Sequence, residues 1–266
     1  MGPWQRTDAK NRIETVMENA LRDRIIQIAS PIAFVLIWEV VARFNWMDVR
    51  FFPAPSTIMA TFSKMISSGE ILSHLSISLQ RIGWGFALGA IPALILGLAM
   101  GLFRWLRTIL DPFVAFAYPI PKSSILPLIM VIFGLGEMTK IVTVALGVFF
   151  LVLINTIAGV RNINPIYLDA AKNFGAGYVD TIIHVALPGA LPLIFTGLKL
   201  GLGAGLILIV IAEMVGARNG LGYLIWESWQ SFAVARLYVG LVVIGLLGYL
   251  STILMDELEK RLVPWK

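Results

Sequence analysis

The residues best placed to do chemistry in this sequence are the few charged ones inside long apolar runs. Lys122 lies in YPIPKSS, directly before Ser123 and Ser124, and Lys199 lies in TGLKLGLG. An ionisable group at membrane depth is costly and is read first as functional. Lys122 can draw an anion into a path through the membrane, in which Ser123, Ser124 and Lys199 are the other candidates. Equally, Lys122 at the end of a broken helix, and Lys199 two turns into its run, can reach the membrane interface with their amines. Glu213, in IAEMVG, reads as a structural partner or cap, since a carboxylate repels an anionic guest.

Catalytic constellations are missing. There is no Walker A pattern, no HExxH and no GxSxG. The two histidines, His74 and His184, fall on opposite sides of the expected membrane, and the cysteine count of zero excludes thiol nucleophiles, disulfides and thiolate zinc sites. The chain is expected to be no enzyme, to bind no metal or cofactor, and to leave any ATP chemistry to another protein.

A second feature is polar. DAAKNFGAGYVDTIIHVALP, residues 169–188, separates two apolar runs. Asn164 and Pro165 can start a helix, with the proline at the first turn where its missing N–H is harmless. Ile166, Ala170 and Phe174 follow at helical spacing, and Gly175 supplies a left-handed stop. A second short helix is expected over 178–185, ending at Leu187 and Pro188. The small Ala170 and Ala171 leave room for close docking. From the residues alone this is a docking hairpin whose partner is unnamed.

The elements that must carry these residues follow from composition. The chain has 266 residues, of which 58% are hydrophobic and 14% charged, with a mean hydropathy of +0.83. Soluble domains carry about a quarter charged residues. The expected fold class is therefore an all-α membrane protein with about six transmembrane helices, over 25–44, 82–103, 112–133 (interrupted at 118–121), 141–160, 193–215 and 237–255. Runs of about 20 apolar residues suffice to cross as helix. With the N-terminus inside, twelve basic residues fall in inner segments against seven in outer ones, which favours both termini cytoplasmic. This gives a cytoplasmic segment over 1–24, a first span and outer amphipathic segment over 25–81, a core over 82–255 with an inner loop at 161–188, and a tail over 256–266. Ser56 or Thr57 is expected to cap the outer amphipathic helix. Gly97 with Gly101, and Gly197 with Gly201 and Gly205, recur every fourth residue. Such stripes serve close helix packing or line a path. The net charge of +5 is read as loop asymmetry, with no nucleic-acid partner.

The spacing Asp169-Ala170-Ala171, three residues, Gly175, nine residues, Val185-Ala186-Leu187-Pro188 resembles the EAA loop of bacterial ABC-importer permeases, EAA-x3-G-x9-I-x-L-P. Asp169 and Val185 depart from that pattern while keeping chemical type. YPIPKSSILPLIMVIFGLGEMTKI, NTIAGVRNI, LPGALPLIFTGLKLGLG and IAEMVGARNGLGYLI resemble the nitrate/sulfonate/taurine-type permeases, a likeness running over about residues 52–265.

The resemblance implies a type I ABC importer (MetI-like) permease fold in the bacterial inner membrane. It implies two permease copies around one pathway, a separate ATPase using ATP and Mg on the 169–188 loop, and an extracytoplasmic substrate-binding protein. Cargo in such relatives includes sulfonates, taurine, nitrate and bicarbonate, and alternatively aromatic carboxylates or thiamine-precursor pyrimidines. A self-contained secondary transporter or channel is the other class. It would need coupling-ion carboxylates near the midplane or inverted repeats, and neither is evident.

Overall fold

The computed structural model describes residues 22–23, 25–27 and 29–265. The expected lead-in over 1–24 lies almost wholly outside them, as does Lys266. Every regular element among the described residues is helical. The chain divides into two compact units, Met1–Ser63 and Lys64–Lys266.

In the first unit, α1 (Ile25–Arg43) is long and apolar enough to span a bilayer. Glu39 and Arg43 pair at 2.5 Å across one helical turn, as their spacing predicts. α2 (Pro55–Ser67) begins in this unit and contains the division. The expected cap from Ser56 or Thr57 is not what forms. Ser56 lies in the first turn, and its N–H and Oγ both donate to Glu39, at 2.9 and 2.8 Å. A carboxylate is the stronger acceptor for an exposed first-turn amide, and the helix dipole favours negative charge there.

The second unit is organised around α6 (Glu137–Arg161). On one side lies α3 (Glu70–Leu102). On the other lies α9 (Leu187–Gly216). Gly85, Gly89, Ala93, Gly97 and Gly101 stand every fourth residue on α3. A Cβ on Gly89 would lie 2.4 Å from the Ala145 carbonyl oxygen, and one on Gly101 would lie 2.5 Å from Val160 Cβ. The second stripe presses on α6 as well, with Gly197 against Asn155 and both Gly201 and Gly205 against Val148. Both stripes are packing surfaces. Lipid offers no hydrophobic drive for helix association, so van der Waals contact between backbones supplies it. Val144, Val148, Val152 and Leu153 of α6 are fully buried between them.

α3 starts at Glu70, twelve residues before the expected boundary, after Gly69 at φ 77°. Its 33 residues make about 50 Å of helix. The polar start looked too hydrophilic to span, but its hydroxyls have partners: Ser73 and Ser76 donate to carbonyls three residues back, and Ser78 is engaged across the bundle, as described below.

α4 (Arg104–Ala117) and α5 (Lys122–Phe133) meet at 96° across the expected interruption. Neither is long enough to cross alone; together they make either one broken span or a re-entrant loop. α11 (Val234–Leu262) closes the set at up to six spans. A helix that hydropathy did not separate, α10 (Leu221–Gln230), packs Gly222 against the Val210 carbonyl on α9 and Ile225 against Gly240 on α11.

Gly89→Val should therefore lower the melting temperature of the detergent-solubilised protein, or its folded yield. Overpacking a core costs about 1–3 kcal/mol, and a backbone oxygen at 2.4 Å cannot rotate away. Gly203→Ala, with open space around its Cβ, should leave both measurements unchanged.

Candidate functional site

The hairpin after α6 begins as its residues suggest. Asn164 caps α7 (Pro165–Asn173) by accepting from the Ile166 N–H at 3.1 Å, with Pro165 in the first turn. The helix ends at Gly175, φ 77°. Ala176 N–H bonds back to Ala171 O at 2.9 Å and Gly175 N–H to Lys172 O at 2.9 Å, which is a Schellman closure. No neighbour stands within 4 Å of a Gly175 Cβ. Backbone conformation alone therefore demands glycine here.

The second arm differs from expectation. α8 (Tyr178–Thr181) runs into a π-helical turn, Ile182–Ala186, and straight on into α9. Leu187 and Pro188 do not end a helix; they open the next one. Proline cannot donate to the carbonyl four residues back. The wider turn, in which the Leu187 N–H reaches Ile182 O, shifts the hydrogen-bond register so that the chain stays helical through Tyr178–Gly216. Asp169 and Gly175 are exposed, whereas Ala170, Ala171, Leu187 and Pro188 are half-buried. Ile166, Tyr167, Phe174 and Tyr178 are exposed too, Phe174 at 92%.

The lysines are occupied. Lys122 Nζ donates to the carbonyls of Ala117, Tyr118 and Ile120 at 2.7, 3.0 and 2.8 Å, and lies 4.3 Å from the Phe150 ring centroid. It fills the gap left by Pro119 and Pro121 at the end of α4. Ser123 and Ser124 are exposed at the start of α5. Lys199 pairs with Asp256 and with Glu259 (2.6 Å for the latter), beside a cleft of about 300 Å³ between α9 and α11 that Ser251 and Thr252 also line. Lys122 and Lys199 thus serve separate clusters.

The largest buried polar cluster lies at the opposite end from the hairpin. Glu213 is fully buried. It accepts from Ser78 Oγ at 2.8 Å, Arg81 Nη1 at 2.8 Å and Gly222 N–H at 2.9 Å. Arg81 also forks onto Glu137 at 2.6 and 2.7 Å and bonds Asn219 through both its backbone and side-chain oxygens. All five guanidinium N–H groups are thereby used. Ser78 Oγ accepts from Leu221 N–H, and His74 Nδ1 accepts from Gly220 N–H at 3.0 Å. Gly220 has φ 110°, and a Cβ on it would meet the Glu213 carboxyl at 2.3 Å.

Sequence reasoning gave Glu213 a pairing role without naming Arg81. The usable signals were Ser78 and Arg81 three apart on one helix face, and the glycines of NGLG just after Glu213.

An all-helical bundle of long apolar helices with buried paired charges and a helical hairpin at one end defines a multi-pass membrane protein. Residues 85–264 match the family described as binding-protein-dependent transport system inner membrane component, and the chain belongs to that family: it is the permease component of an ABC importer. It is 33% identical to a putative aliphatic sulfonates transport permease protein of Bacillus subtilis (strain 168), over 89% of this chain and 86% of that one. It is 31% identical to a taurine transport system permease protein of Escherichia coli (strain K12), over 92% and 90%. The fold is that of a solved methionine ABC transporter chain described in inward-facing conformations, with a TM-score of 0.54 at 21% identity, covering 72% of this chain and 94% of that one.

Replacing Glu213 by Ala leaves Arg81 buried with one carboxylate fewer, and breaking a buried pair costs about 3–5 kcal/mol. The folded yield after membrane extraction should collapse. Glu137→Gln should be milder, because that side chain is 60% exposed.

Proposed function

We propose that two copies of this chain form the pathway of an importer whose separate ATPase, using ATP and Mg, grips the hairpin over 161–188. Both termini and the hairpin lie in the cytoplasm, and the Glu213 cluster lies at the outer end, where an extracytoplasmic binding protein delivers cargo. This chain itself binds no cofactor.

The observation that carries this reading is a hairpin with Ile166, Tyr167 and Phe174 exposed on one face and unbroken helical continuity into α9. An apolar face of this kind fits a groove on a partner. A push on α8 travels through the π-turn into α9, which is locked against α6, and so reaches the spans. Asp169, Ala170 and Ala171 belong to the contact, Gly175 is its elbow, and Leu187 with Pro188 is the junction to α9.

The cargo is a small sulfonate anion. Support comes from the names and full-length coverage of the relatives. Lys122 at the break is the path candidate that contributes positive charge, and Ser123 and Ser124 beside it offer neutral hydroxyls. Lys199 is already paired with two carboxylates, Asp256 and Glu259.

Gly175→Val forces a β-branched residue into positive φ, at about 1–2 kcal/mol or more. It should leave a folded permease that co-purifies poorly with its ATPase and no longer couples ATP hydrolysis to uptake. Normal co-purification and normal uptake would overturn the role of the elbow. Lys122→Met should reduce taurine uptake into ATP-loaded vesicles several-fold while sparing expression; unchanged uptake removes Lys122 from the path.

A further inference from the structure

The hairpin has two faces, and the docking reading uses one. At about 100° per residue, Ile166, Ala170 and Phe174 fall together on α7, while Leu168 and Lys172 fall on the far side. That back face turns towards the α3–α4 elbow across a cleft of about 750 Å³, lined by Leu102, Phe103, Trp105, Leu168, Lys172 and Tyr178 among others. Phe103 and Tyr178 are in ring contact at 6.0 Å across it. Trp105 and Tyr178 are largely exposed.

The charge beside this cleft is unspent. Lys172, Arg104 and Arg107 make no side-chain hydrogen bond or ion pair among the described residues. This contrasts with Lys122, Lys199, Lys140 and Arg81, each of which is engaged. Arg104 lies between two lining residues, and Arg107 is one turn further along α4. The nearby carboxylate of Asp180 is engaged by the Gly177 N–H at 3.3 Å. Trp and Tyr rings characterise the headgroup level of a bilayer, and basic pockets beside spans on the cytoplasmic side hold anionic headgroups.

We propose that this cleft is a binding site for an anionic phospholipid of the inner leaflet, with the headgroup phosphate on Lys172 and the acyl chains against Leu102 and Trp105. The assignment rests on the cytoplasmic placement of the hairpin. A lipid seated there ties the back of the coupling lever to the α3–α4 elbow, so occupancy tunes how far the lever moves relative to the spans.

The test uses the full chain, carrying the photoreactive substitution Trp105→benzoylphenylalanine, in nanodiscs of equimolar phosphatidylcholine and phosphatidylglycerol. Phosphatidylglycerol should be captured in clear excess. Lys172→Gln should lower that capture about fivefold, the effect of one basic residue at an anionic surface, and Lys172→Arg should restore it. Lys172 has no side-chain partner, so neither change threatens the fold.

Equal capture of the two lipids, or capture indifferent to Lys172→Gln, overturns the site. Displacement of the lipid by inorganic phosphate at constant ionic strength overturns the lipid assignment in favour of a free anion. Capture of the ATPase chain, when it is co-reconstituted, overturns it in favour of a protein contact. Failure of Gly175→Val to affect coupling would count against the hairpin's role as the lever, and lipid capture does not depend on that outcome.

Discussion

In hydrocarbon an amide or carbonyl without a partner has no water to turn to, and each such group costs several kcal/mol. A chain that breaks its helices at depth must therefore fill every break from its own side chains or by shifting its hydrogen-bond register. This chain does both. Lys122 covers three carbonyls where two prolines separate α4 from α5. At the other end of the bundle, Ser78, His74 and Glu213 take the amides of Leu221, Gly220 and Gly222 as the chain turns from α9 into α10. At Pro188 no side chain is needed, because the π-turn lengthens the repeat by one residue and the helix continues. At these breaks, charged and polar side chains thus serve as partners of the backbone.

The same constraint decides what can move as a unit. α9 is bound to α6 through closely packed glycines, of which Gly197 has no room for a side chain, and α3 grips the opposite face through Gly85, Gly89, Gly97 and Gly101 more tightly still. A bundle whose backbones touch cannot slide by fractions of a residue. It shifts as a block, since close-packed interiors are bistable rather than soft. The hairpin is attached to that block by continuous helix on one arm. On the other it returns through Asn164 and the Asn162 turn to the end of α6. Force applied at α7 has two stiff routes into the helices that hold the core, and Gly175 is the one joint between them with a left-handed backbone.

Much of this was legible in the residues. The five or six spans, the break at 118–121, the Asn164 cap, the positive-φ Gly175 and the glycine stripes all follow from local pattern, and local pattern is what sequence states directly. Three features did not read through. The start of α3 was hidden because Ser78 and Arg81 look solvated until Glu213, more than 130 residues away, is brought to them. The continuation through Leu187–Pro188 was hidden because proline signals a stop, and only a π-turn reverses that meaning. The cap of α2 was assigned to the nearest hydroxyl, whereas a carboxylate 17 residues back supplies it. At α3 and α2 the deciding partner is remote in sequence, and pairing of that kind leaves no periodic trace; at Pro188 it is a local change of hydrogen-bond register.

Charge accounting bears on selectivity. Among the described spans, Arg81 is shared by Glu137 and Glu213, Lys140 reaches Leu135 O and Glu137, and Lys199 is held by Asp256 and Glu259. Lys122 alone among these has no carboxylate partner, its donors being turned onto carbonyls. An anion passing the break would therefore feel a positive field without displacing a hydrogen bond from the ammonium. Such an arrangement favours negative charge in general and distinguishes poorly between anions of similar size, because direct, desolvated hydrogen bonds are what separate close analogues. If Lys122 lines the path, discrimination among such anions falls to the surface that delivers the cargo.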